Sequence, residues 1–185
     1  GIVCRLLGRP IGGNVFLVTA VLSLGCSGFF SRFFLHQVDS PAASPRQQHS
    51  HGNPDDDIHY LMHRVEPDLI RDAHVHEIEQ ALGPRGSHVI ACGHSHLPRH
   101  VELGDGRRVF NPGSVGLPAY AWEYPHVHRM ELGAADARYA VLTGAGVEAR
   151  IDLISVDYDH RAAAARAEAN GRMDWAVPLR TGFVD

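Results

Sequence analysis

Not one of the 185 residues is lysine; all 17 basic side chains are arginine. That removes the amine required for Schiff-base chemistry and the lysine of a phosphate-gripping P-loop. Acid is missing from the start of the chain. No Asp or Glu precedes Asp39, so the opening segment offers no carboxylate side chain for holding a cation or moving a proton. The three cysteines, Cys4, Cys26 and Cys92, are odd in number and widely spaced. They make neither a disulfide framework nor a zinc-finger spacing, which favours a reducing, cytoplasmic setting. The densest apolar run, residues 15–24, is too short for a confident membrane span. No internal repeat is visible. The net charge of −4 with neutral histidines gives no strong pull towards nucleic acid or acidic membranes.

What is present suits a folded domain: 44% hydrophobic and 21% charged residues can build an ordinary core. The chain divides into two unlike parts, an apolar N-terminal segment over residues 1–37 and a mixed remainder over residues 38–185. Arginines ahead of the apolar run and small residues after it (Gly25-Cys26-Ser27-Gly28) imitate a secretory signal. A buried helix, a buried strand pair, or a stretch unrelated to the remainder compete with that export reading. Residues 38–57 read as a polar linker containing Pro41, Pro45 and Pro54 and ending in Asp55, Asp56 and Asp57.

The remainder carries the chemistry. Val89-Ile90-Ala91-Cys92 is a short apolar run of the kind that forms a buried strand. It stops at Gly93 and delivers His94 and His96, spaced i and i+2, into the loop beyond. Rigid scaffolds present ligands and catalytic groups at such strand ends, and a neutral imidazole is a common metal ligand. Fifteen residues after His96 stands the turn Asn111-Pro112-Gly113-Ser114-Val115-Gly116. Upstream, His51 precedes a turn-forming Gly52-Asn53-Pro54. Most of the 14 histidines, including His49, His59, His63, His74, His76 and His88, have no such context.

Around these lie recognisable elements. Helical spacing of Leu69, Ile70, Ala73, Ile78 and Leu82 predicts a helix over residues 67–82, stopped by Gly83-Pro84. Residues 100–103 and 107–110 flank Gly104-Asp105-Gly106 as a hairpin. Residues 138–142 and 147–156 form a second hairpin, with Val147, Ala149, Ile151 and Leu153 on one buried face. A helix over residues 160–170 follows, capped by Gly171. Residues 118–136 read as an aromatic loop with Tyr120, Trp122, Tyr124, His126 and His128, which either gates a site or packs on the core.

Taken together, these residues resemble the calcineurin-like metallophosphoesterases of the small bacterial single-domain type. Gly93-His94-Ser95-His96, the turn from Asn111 to Gly116 and His51-Gly52-Asn53-Pro54 carry the resemblance. Ala137-Arg138-Tyr139-Ala140-Val141-Leu142 is similar to the family's penultimate strand, and the ending through Gly171, Trp175 and Gly182 is similar too. The resemblance spans residues 51–185. It implies an α/β fold, a metallophosphoesterase-like β-sandwich flanked by helices, incomplete at its N-terminus. It also implies hydrolysis of a phosphomonoester or phosphodiester by water activated between two divalent metal ions, whether Mn, Fe, Zn, Ni or Mg.

By that resemblance His51 and His94 would ligate one metal and His96 the other. Gly93, Asn111, Gly113 and Ser114 would brace the ligand loop. The family's opening motifs, an Asp-x-His strand end, a Gly-Asp and a Gly-Asn-His-Asp, do not precede His51. Their only trace is Gly13-Asn14-Val15. Without their carboxylates, three histidines are too few for two metals, since even one four-coordinate catalytic zinc takes three protein ligands. No catalytic residue is assigned, and Asp55, Asp56 and Asp57 are candidates for a missing carboxylate. The chain is therefore expected to be a weak phosphoesterase, or a non-catalytic binding module on the same scaffold. Its implied partner is a phosphate ester rather than nucleic acid or a membrane, and spacing says nothing of its oligomeric state.

Overall fold

The computed structural model describes residues 15–24, 29–38, 47–84, 87–144 and 146–185, with side chains from residue 50 onward. The expectations placed on Asn14, Cys4 and Cys26 lie outside the described residues.

Two four-stranded sheets form the body. The first runs β12 (Arg150–Val156), β11 (Ala137–Thr143), β1 (Val15–Leu24), β2 (Phe29–Val38), each antiparallel to its neighbour. Residues 15–24 of the apolar N-terminal run are thus the first arm of a strand pair, hydrogen-bonded to β11 on its other side. No helix among the described residues is long and apolar enough to cross a membrane.

The second sheet positions the site. Its order is β3 (Gln47–His49), β6 (Val89–Ala91), β8 (Arg108–Asn111), β7 (Arg99–Glu102). β6 is parallel to both β3 and β8, while β7 runs antiparallel to β8 as the predicted hairpin. Successive strand residues point to opposite faces, and both faces here are covered. Ile90, Cys92 and Val109 pack with Leu61, Met62, Ala73, Ile78 and Leu82. Val89, Ala91 and Phe110 pack with Ala140, Leu142 and Ala149 of the first-sheet side. Double burial is why residues 89–92 read as an unbroken apolar run rather than an alternating one. The result is the expected α/β architecture, a sheet-on-sheet sandwich with a helix over one outer face.

That helix, α1 (Val75–Leu82), is shorter than the predicted one over residues 67–82. β4 (His63–Glu66) and β5 (Leu69–Asp72) form an antiparallel hairpin where its first turns were expected. Pro67-Asp68 makes the turn, and Arg71 Nε donates to Glu66 Oε1 at 2.7 Å across it. Leu69 is 55% exposed, so its helical spacing from Ala73 is coincidental. Glu77 ties the hairpin to α1: its carboxylate accepts from the His74 N–H at 2.7 Å and from both terminal nitrogens of Arg71.

Two further differences concern the C-terminal half. The aromatic stretch 118–136 contains a hairpin, β9 (Ala119–Trp122) and β10 (His128–Glu131), rather than a plain loop. Ala119, His128 and Met130 are buried while Trp122, Tyr124 and Val127 face solvent, so it packs on the core with one side only. The predicted strand 147–156 starts later, because Gly146–Glu148 is a 3-10 turn that exposes Val147. Leu153 is 36% exposed, so only Ala149 and Ile151 of the proposed apolar face join the core cluster. The expected final helix is present as α2 (His160–Ala169), capped at its start by the Asp159 carboxylate on Ala162 N–H. α3 (Met173–Thr181) follows, packing on α2 and β9.

Candidate functional site

The backbone pairing of β3 and β6 continues past their carboxyl ends. Ser50 N–H donates to the Ala91 carbonyl at 3.1 Å, and Gly93 N–H donates to the His51 carbonyl at 2.9 Å. His51 is thereby laid beside the start of the two-histidine loop, where ligands of parallel sheets are generally bound. Imidazole rings of His51 and His94 stand 4.7 Å apart.

The loop itself is held in an uncommon shape. His94 and His96 both adopt left-handed backbone conformations, with φ of 62° and 58°. Ser95 N–H between them donates to the Gly93 carbonyl at 2.7 Å. A non-glycine residue in this region costs on the order of 1 kcal/mol or more, and persists where its surroundings over-determine it. Asn111 is one such support. Fully buried, it donates from Nδ2 to the Gly93 carbonyl at 2.8 Å and to Ser95 Oγ at 3.0 Å. Its Oδ1 accepts from Gly113 N–H at 2.9 Å. Gly113 has φ of +86°, and a Cβ there would sit 3.0 Å from Arg138 Cβ. Ser114 Oγ accepts from Leu117 N–H at 3.1 Å, and the Leu117 carbonyl in turn accepts from His96 Nδ1 at 2.8 Å.

A carbonyl only accepts, so these contacts define tautomers. His96 carries its proton on Nδ1 and keeps a lone pair on Nε2. His94 donates from Nε2 to the Ile58 carbonyl at 3.0 Å and keeps its lone pair on Nδ1. Burial pulls His94 down to about 3, helped by the neighbouring His51 and His96. Burial likewise pulls His96 down to about 4, against the opposing effect of its bond to Leu117. His51 is lowered by burial too, with the Asp57 carboxylate working the other way. Near neutral pH the three rings are uncharged.

The segment after His51 is a tight loop. A Cβ on Gly52 would lie 2.6 Å from the His59 carbonyl oxygen. Asn53 Oδ1 accepts from the N–H groups of Asp55 and Asp56. Asp56 Oδ1 accepts from Ile58 and His59 N–H, and its Oδ2 meets His59 Nδ1 at 2.7 Å. Desolvation opposes ionisation of Asp56, but these bonds outweigh it and hold the carboxyl at about 2. Asp56 is thus committed to its own loop, Asp55 and Asp57 are exposed, and Asp57 is the one whose charge reaches His51.

Three side chains that spacing does not single out as a set complete the surroundings. Tyr60 stacks on His94 at 4.5 Å between ring centres, and Tyr120 meets His96 edge-on at 5.0 Å. Tyr60 Oη lies 2.9 Å from Tyr120 Oη and 2.8 Å from His128 Nε2. Asp-x-His tripeptides also occur at Asp57-Ile58-His59 and Asp72-Ala73-His74, after His51 rather than before it. The first lies in the loop just described and the second at the end of β5, where Asp72 and the Ala73 carbonyl are held by Arg99.

The donor set decides what the cluster can hold. Three neutral imidazoles supply nitrogen lone pairs, with the opposite ring nitrogens of His94 and His96 anchored on carbonyls as metal-ligating histidines usually are. Two divalent ions carry four positive charges and call for carboxylates. Among the described residues no group of three or more His, Cys, Asp or Glu side chains is arranged to hold a metal ion. The described residues do not fit a two-metal centre.

Among solved structures, the chain is similar to the crystal structure of a metallophosphoesterase from Sphaerobacter thermophilus, with a TM-score of 0.53 and 16% sequence identity. The match covers 76% of this chain and 58% of that one, so the chain spans little more than half the length of its structural neighbour. At that identity the likeness is one of fold alone. No protein-family model and no curated protein matches the sequence.

Proposed function

We propose that this chain belongs to the lineage of metal-dependent phosphoesterases acting on phosphomonoesters or phosphodiesters, and that it hydrolyses them barely above background. The observation that supports the lineage is the strained Gly93–His96 segment at the carboxyl ends of parallel strands, with His51 brought alongside at 4.7 Å from His94. His51, His94 and His96 are the proposed nitrogen donors for divalent metal. Gly93, Asn111, Gly113 and Ser114 are the proposed braces. What argues for feeble turnover is the same donor set. Activating water and clamping the entering and leaving oxygens draw on anionic ligands, and the Asp56 carboxylate is spent on its own loop. A cytoplasmic setting is part of this proposal, resting on the cysteine pattern.

A second reading, a non-catalytic binding module, is favoured by the imidazole-only character of the cluster. One assay separates the two. With manganese and bis-p-nitrophenyl phosphate, the chain is expected to turn over slightly above background, with the residual rate lost in His94→Ala. No difference between wild type and His94→Ala would leave the binding-module reading. Robust turnover lost on His94→Ala would overturn the claim that the carboxylate complement is insufficient, with Asp57 the first residue to substitute.

A further inference from the structure

Behind the two-histidine loop runs an unbroken row of hydrogen-bonding groups drawn from three distant parts of the chain. It starts at the His126 carbonyl, which meets His128 Nδ1 at 2.7 Å. His128 Nε2 meets Tyr60 Oη at 2.8 Å, and Tyr60 Oη meets Tyr120 Oη at 2.9 Å. Tyr120 Oη then donates to the His94 carbonyl at 2.6 Å. His128 and Tyr60 are buried, and no carboxylate joins the row among the described residues.

Counting protons exposes a mismatch. The row has four contacts and ends on a carbonyl at each side, and a carbonyl only accepts. A neutral imidazole and two phenols together carry three N–H or O–H protons. With His128 neutral, one of the four contacts therefore faces lone pair against lone pair. Burial holds Tyr60 up at about 12 and Tyr120 well above its ordinary value, so neither phenol gives up its proton near neutrality. A second proton on His128 supplies the missing donor. All four bonds then align outward from the ring: Nδ1–H to His126, Nε2–H to Tyr60, Tyr60 O–H to Tyr120, Tyr120 O–H to His94.

We propose that His128 is a proton-operated positioning residue, whose second proton completes the Tyr60–Tyr120 chain and tightens its grip on the His94 carbonyl, and so on the left-handed loop. The groups facing His128 are Tyr60 from the segment before β4, Trp122 as its register partner on β9, and the His126 carbonyl of its own turn. Its charge also acts on His94, opposing protonation of that ring. The ring that gains a proton is thus separated from the rings that stay neutral by two phenols. The consequence for phosphate-ester chemistry rests on the function proposed above; the proton chain does not.

The test is a pH titration by NMR of the metal-free chain labelled with nitrogen-15. The Ser95 amide reports on the chain, because its nitrogen is bonded to the carbonyl carbon of His94. Expected is movement of the Ser95 amide with the same midpoint as the His128 ring nitrogens. In Tyr120→Phe, which keeps the ring and removes the last link, His128 still titrates and the matching Ser95 shift is lost. In His128→Gln, whose amide can donate to Tyr60 at every pH, that shift is likewise absent. Titration of His128 with no response at Ser95, or a matching response that survives in Tyr120→Phe, would overturn the proposal. The readout needs neither metal nor substrate, so failure of the phosphoesterase reading would leave it standing.

Discussion

Histidine is the residue on which this molecule turns, and its buried histidines, three of them above all, make stability depend on pH. Burial lowers His63 to about 4, aided by Arg99 and Arg64 against Asp72. It lowers His96 to about 4 and His94 to about 3. Each binds its proton less readily folded than unfolded, so the unfolded chain takes up more protons once pH falls below about 6.5. Their contribution is complete above that value and lost as pH falls through 4. Urea unfolding should therefore show stability dropping by about 2 kcal/mol or more between pH 7 and pH 4. His63→Gln should flatten part of that slope, while a level profile would contradict the burial of these rings. The roles were unequally legible. His94, His96 and Asn111 stand in a motif whose spacing carries meaning. Tyr60 stands in none, because its partners Tyr120 and His128 are 60 and 68 positions away. His63 sits one residue beyond the buried Leu61-Met62 pair, and its burial came from the fold rather than from any local pattern.

At the level of elements, the Gly52–His59 loop is the part whose shape most directly governs the cluster. Its carbonyl at Ile58 holds the His94 ring, and its Gly52 leaves no room for a side chain. A Cβ there would lie 2.9 Å from the Asp57 carbonyl carbon as well as 2.6 Å from the His59 oxygen, both backbone atoms that cannot swing aside. Gly52→Ala is accordingly expected to lower stability by about 2 kcal/mol or more, and to shift the His94 ring nitrogens by displacing Ile58. An unchanged denaturant midpoint together with unchanged His94 signals would contradict the packing of this loop. Elements with a strong internal pattern were readable in advance: the apolar strand at 89–91, the hairpin around Asp105, and the alanine-rich α2. Those set by pairing were not. The β4–β5 hairpin imitates a helix because Leu69 and Ala73 fall at a helical interval by chance, whereas only Ala73 is buried. The β9–β10 hairpin buries just one side of an aromatic stretch, so its sequence looks like a loop.

For the molecule as a whole, the sheet-on-sheet arrangement and the doubly covered β6 were implied by resemblance and by the apolar character of 89–92. How β1 and β2 join the first sheet was not, since a mostly apolar run without clear alternation fits helix, strand and export signal alike. The scaffold places its parallel strand ends, its strained histidine loop and its Asn111 brace in one region, yet surrounds them with phenols and imidazoles rather than carboxylates. On the proposed function, this cluster is an imidazole site short of anionic ligands. Anomalous diffraction from crystals soaked in manganese or zinc tests it most directly. Expected is at most one ion in the cluster, held by nitrogens of His51, His94 or His96 and by water. Two ions about 3.5–4 Å apart bridged by a carboxylate, or metal bound only elsewhere on the molecule, would contradict it.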